Sequence, residues 1–117
     1  MGGSPGTPSN PSPPYAEKRT VPRFALFADV EVLDLATEAR MSGRVSEISR
    51  KGCFVDLLNP LPKETRVRLK VSRDLGSFAT KGRIIYTMEG MGMGVAFEDI
   101  PADELKILDA WLVELAG

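Results

Sequence analysis

The stretch ETRVRLKVS, residues 64–72, alternates without a break: Val67, Leu69 and Val71 are apolar, whereas Arg66, Arg68 and Lys70 are cationic. A period of two puts the first set on one face of a β-strand and the second on the other, so the segment is half buried and half wet. The same reading extends outward from there. β-Branched content, alternation and Gly/Pro turn signals predict five more strands, at 26–34 (LFADVEVLD), 39–47 (ARMSGRVSE), 52–57 (GCFVDL), 78–88 (FATKGRIIYTM) and 91–98 (MGMGVAFE). Six short strands with short connections make a mainly-β antiparallel barrel or sandwich.

Both ends of the chain read differently. Residues 1–14, MGGSPGTPSNPSPP, hold five of the nine prolines and nothing apolar enough to bury, so residues 1–16 are expected to form a flexible tail. At the other end, PADELKILDAWLVELAG places Leu105, Leu108, Leu112 and Leu115 at helical spacing and predicts an amphipathic helix over 101–116, with Trp111 at its margin. Pro101 suits the first helical position, and Asp103 and Glu104 complement the positive end of the helix dipole. Residues 17–117 are then one domain: an arm at 17–24, the strands at 25–98 and the helix.

Composition excludes several function classes. The chain has 117 residues, a net charge of -1, a pI near 5.5 and 7% aromatics, which suits neither a DNA or RNA track nor an anionic membrane. The charge is uneven: residues 99–117 carry five acids and one base, leaving 14 bases against 11 acids, a net +3, for the rest. That excess suits one small anionic ligand. With no histidine, histidine-based triads and His/Cys zinc sites are absent, so neither an enzyme nor a metal or cofactor is expected. Cys53 stands alone and reads as a buried thiol in a reducing cytoplasm. No apolar run is long enough to insert in a membrane, and no secretion signal is present.

Two short stretches carry the chemistry. In KRTVPRF, residues 18–24, Pro22 and the restriction it places on Val21 keep the backbone out of a helix, so Arg19 and Arg23 are free to converge on an anion. In SEISRKGCFV, residues 46–55, Val45 and Ile48 cannot share a face at period two. A bulge or tight turn is therefore expected, with Gly52 at it and with Glu47 and Ser49 projecting from a short loop. The bland alternatives are a surface pair of Glu47 with Arg44 or Arg50, and Ser49 as a plain turn residue. In GMGMG, residues 90–94, glycines occupy one strand face and Met91 and Met93 the other. The bare face admits a second group, and packing of the C-terminal helix is expected there ahead of ligand contact.

In this order and on this strand pattern the chain resembles the PilZ domain, a bacterial receptor module for cyclic di-GMP. The family pattern is R-x-x-x-R followed by [D/N]-x-S-x-x-G. Arg19 and Arg23 match the first element, and Glu47, Ser49 and Gly52 stand in the second, with Glu47 where the family has Asp or Asn. The resemblance, over residues 17–98, implies a six-stranded antiparallel β-barrel with a flexible N-terminal arm and a C-terminal helix. It also implies cyclic di-GMP as ligand. Arg19 and Arg23 would grip phosphate and guanine, Glu47 and Ser49 would meet a second guanine edge, and Gly52 would keep the loop's shape. The extra methylene moves the carboxylate of Glu47 by about 1.5 Å. The implied function is a cytoplasmic receptor whose arm orders on the ligand and signals to a downstream protein. The competing expectation is a PilZ-like adaptor that binds no nucleotide and acts through protein contacts.

Overall fold

The computed structural model describes residues 21–74 and 76–117. The tail and Arg19 lie outside the described residues. Among the described residues six antiparallel strands precede one helix: β1 (Arg23–Asp34), β2 (Arg40–Ser49), β3 (Gly52–Asp56), β4 (Arg66–Arg73), β5 (Gly76–Met88), β6 (Gly92–Glu98) and α1 (Ala102–Ala116). They close in the order β1-β2-β3-β6-β5-β4, with β4 returning to β1, so the sheet is a barrel and leaves no free edge. Strand bounds differ from the sequence reading by at most three residues, the scale on which strand ends are ambiguous.

Alternation decides what faces inward. In β4, Val67, Leu69 and Val71 are fully buried and Arg66, Arg68 and Lys70 exposed. Val30 and Val32 of β1, Val55 of β3, Ile84 of β5 and Met93 and Val95 of β6 join them in the barrel interior. Met91 does not share the face of Met93: it precedes β6 in the hairpin and is exposed.

Two strands break the alternation. Against β3, Val45 pairs with Val55 and Glu47 with Phe54, which leaves Ser46 as an extra residue. This bulge lets both Val45 and Ile48 enter the core. Against β6, Ile84 pairs with Val95 and Tyr86 with Gly94, so Ile85 is the extra residue there. Ile84 is buried, while Ile85 and Tyr86 both face outward.

The helix lies mainly against β5 and β1. Leu108 is fully buried, and Trp111 is buried too rather than marginal: its ring meets the Phe78 ring edge-on, with centroids 6.2 Å apart, and Arg73 stacks over its face at 5.6 Å. Leu105, Leu112 and Leu115 pack half-buried beside them. Pro101 caps the helix rather than starting it, and its carbonyl accepts the amide of Leu105. The bare face of β6 is not where the helix packs, because α1 docks on β5 and β1, where Trp111 meets Phe78. Truncating Leu108 to Ala should lower the stability by about 2–5 kcal/mol in urea unfolding, the range for a fully buried leucine in a core that cannot collapse.

Candidate functional site

Strands β2, β3, β6 and β5 carry on their outer face a cleft of about 420 Å³ that also takes in Val21 and Arg23 from the start of the described chain. Arg23 opens β1 in register with Ser49, the last residue of β2. Its Nη1 donates to Oε1 of Glu47 at 3.4 Å, across the mouth of the cleft. Glu47 thus takes neither of the arginines expected as its surface partners. Arg44 lies 3.8 Å from Asp29, and Arg50 reaches Asp109 of the helix with Nε at 3.0 Å and Nη2 at 3.5 Å. Both Arg23 and Glu47 are about half exposed, so their pair contributes little to stability and can be exchanged for a ligand's groups.

Glu47 and Ser49 belong to β2 and not to a loop, a correction to the sequence reading. The bulge at Ser46 absorbs the irregularity one residue before Glu47, so the ladder resumes, with Glu47 opposite Ala25 on one side and Phe54 on the other. The turn proper is only Arg50 and Lys51. Ser49 holds it together: its Oγ accepts the amides of Lys51 at 3.1 Å and Gly52 at 3.2 Å, and lies 3.4 Å from the Gly52 carbonyl. The plain turn role expected as an alternative for Ser49 is therefore present in the fold.

Gly52 answers to a close approach. A Cβ there would collide with the carbonyl oxygen of Val95 on β6, the strand to which β3 is paired. The glycine face of β6 forms part of the cleft floor: Gly94, Val95 and Ala96 line it. A Cβ on Gly94 would run into the ring of Tyr86, which stacks with Phe54 at 6.1 Å and an interplanar angle of 29°.

Phe54, Tyr86 and Arg83 were not singled out from the sequence. A signal existed in RIIYTM, because two adjacent isoleucines break a period of two as plainly as Val45 and Ile48 do. Arg83 lines the cleft, with Nη1 3.2 Å from Oε1 of Glu64. Its Nε is buried 3.2 Å from Oε2 of Glu98, close enough for an ion pair but without a hydrogen bond among the described residues. With Lys51 and Arg23, three cations and one carboxylate surround a partly aromatic wall. That set suits an anion carrying flat heterocycles.

Cys53 lies beneath the cleft, and burial pushes its thiol up to about 12. The unfolded thiol ionises near 9.0, so above that pH the unfolded chain holds fewer protons than the folded one and gains stability relative to it. Folding stability should therefore fall as pH rises from 9 toward 12, with a steeper slope than in a Cys53→Ala variant, measured by urea unfolding across that window. Independently, Gly52→Ala should cost about 1–3 kcal/mol, since β3 or β6 must shift to admit the methyl group.

Comparison with known proteins adds the following. The family model for the PilZ domain matches residues 17–114. Among solved structures, the PilZ domain with c-di-GMP of YcgR from Escherichia coli superposes with a TM-score of 0.69 at 15% identity, covering 85% of this chain and 92% of that one. The PilZ domain of CeSA from a cellulose-synthesizing bacterium gives 0.64 at 19% identity, over 82% and 99%. The Bacillus subtilis inhibitor of motility MotI/DgrA gives 0.69 at 17% identity over 82% of this chain, which spans 50% of that protein. No curated protein sequence matches.

Proposed function

Because the chain belongs to the PilZ domain family, we propose that it is a bacterial cyclic di-GMP receptor. The observation that carries this reading is the convergence of Arg23, Glu47 and the Ser49 turn on one cleft with an aromatic pair beside it. Arginine pairs bidentately with phosphate or with the O6/N7 edge of guanine, and a carboxylate accepts from guanine N1 and N2. A ligand with two guanines and two phosphates uses each of these groups, and Tyr86 and Phe54 offer faces for a base. Arg19 joins Arg23 when the arm closes over the ligand, and the closed arm is the surface read by a downstream protein. In this reading the molecule is a cytoplasmic binding module and performs no catalysis.

The pair Arg23–Glu47 favours a second reading. The longer carboxylate already reaches the arginine, so the site is satisfied without a ligand, as in an adaptor that works only through protein contacts.

Isothermal titration calorimetry separates the two. The receptor releases or takes up heat with cyclic di-GMP, and silence at high micromolar ligand with a folded sample defeats that reading. Arg23→Ala should weaken binding about 10- to 100-fold, the loss of one charge-assisted contact, and leave the thermal midpoint of the empty protein almost unchanged. A large fall in that midpoint would make the arginine structural. Glu47→Asp should bind more tightly than the parent. Absence of binding in both forms would establish the adaptor.

A further inference from the structure

The outer face of the barrel around the cleft is laid out in rungs. Along one of them the strand pairing sets Glu47 of β2 beside Phe54 of β3, Phe54 beside Gly94 of β6, and Gly94 beside Tyr86 of β5. The next rung runs from Arg23 beside Ser49, past Gly52 beside Ala96, to Arg83. Successive rungs on one face of a sheet are two residues, about 7 Å, apart. One rung therefore carries a carboxylate and two rings, and the other carries two arginines at the ends of a floor of small residues.

The glycines of β6 seat the two rings. A Cβ on Gly92 would run into the Phe54 ring and one on Gly94 into the Tyr86 ring, so each ring lies against bare backbone, reaching it from the strand on either side. The rings are not equivalent. Phe54 is half-buried and backs Tyr86 at 6.1 Å, whereas Tyr86 is 44% exposed and lines the cleft. Without the extra residue at Ile85, a period of two would send Tyr86 inward after Ile84. We propose that Tyr86 is the ring on which one base of the ligand stacks, with Gly94 as its seat. The assignment rests on the receptor reading above and deepens it by giving the ligand a direction: a base over the rung of Glu47 and Tyr86, its phosphate toward the rung of Arg23, and the ribose across the step between them. Stacking uses the face common to every base, so Tyr86 selects a nucleotide over a bare anion and leaves the choice of base to the edge contacts of Glu47.

Calorimetric titration of the full chain with cyclic di-GMP tests this in three variants, with the thermal midpoint of each empty protein recorded beside it. Tyr86→Leu keeps an apolar side chain without a ring and should bind about tenfold more weakly than the parent at a similar midpoint. Tyr86→Phe restores the ring and should recover most of that loss. Gly94→Ala keeps Tyr86 but puts a methyl group where its ring lies; the ring can swing outward, so the variant should fold and still lose affinity. Parent-like binding by Tyr86→Leu or by Gly94→Ala overturns the assignment. So does an equal loss in Tyr86→Phe and Tyr86→Leu, which would make the hydroxyl the contact, or a fall in midpoint that accompanies the loss in Tyr86→Leu, which would make the ring structural. These outcomes leave the receptor reading standing, whereas a folded parent that gives no heat removes that reading and this assignment together.

Discussion

One extra residue in β2 governs the rest of the site. If Ser46 occupied a regular rung of the ladder instead of bulging from it, the period-two rule would force a choice between Val45 and Ile48 for the interior, and every side chain beyond it would change face. With the bulge, both enter the core fully buried, and Glu47 turns outward beside Arg23. The position of the carboxylate is thus fixed by hydrophobic burial, a far larger effect than its own exposed ion pair. A second bulge at Ile85 acts in the same way on the opposite side of the cleft, turning Tyr86 outward. Between them the glycines of β6 leave the floor bare enough for the Tyr86 ring to lie close to the backbone.

The strands were legible because barrel strands obey one rule along most of their length. Val67, Leu69 and Val71 announce the interior of β4, and the leucine spacing of 105–115 announces α1. What failed to show was anything set by pairing between distant segments. Whether the glycine face of β6 would meet the helix or open to the cleft depends on where α1 docks, and that is decided by the buried contact among Phe78, Trp111 and Leu108. No local pattern encodes it.

The site was half legible for a related reason. Glu47, Ser49 and Gly52 lie within six residues, and Arg23 is in a short motif with a proline, so sequence alone collects them. Phe54, Arg83 and Tyr86 come to the same cleft from β3 and β5, through the pairing of both strands with β6. The irregularity near Val45 was visible, but its location was not. Periodicity reports that a residue has been inserted and leaves open whether the chain then returns to the sheet, as it does here.

The turn that follows Glu47 also touches the helix. Arg50 binds Asp109, and α1 is held a second time where Arg73 meets Glu114 at 2.9 Å and Trp111 under its guanidinium. A ligand that draws on the Ser49 hydroxyl competes with the amides of Lys51 and Gly52, and any resulting shift of the turn reaches α1 through Arg50. The strength of that coupling is bounded. An exposed ion pair contributes up to about 1 kcal/mol, so breaking it shifts a two-state equilibrium of the helix by about fivefold at most. Leu108 and Trp111, both buried, hold α1 more firmly than that. Loss of the Arg50–Asp109 pair alone therefore leaves α1 docked, because its attachment rests on burial and not on that ion pair.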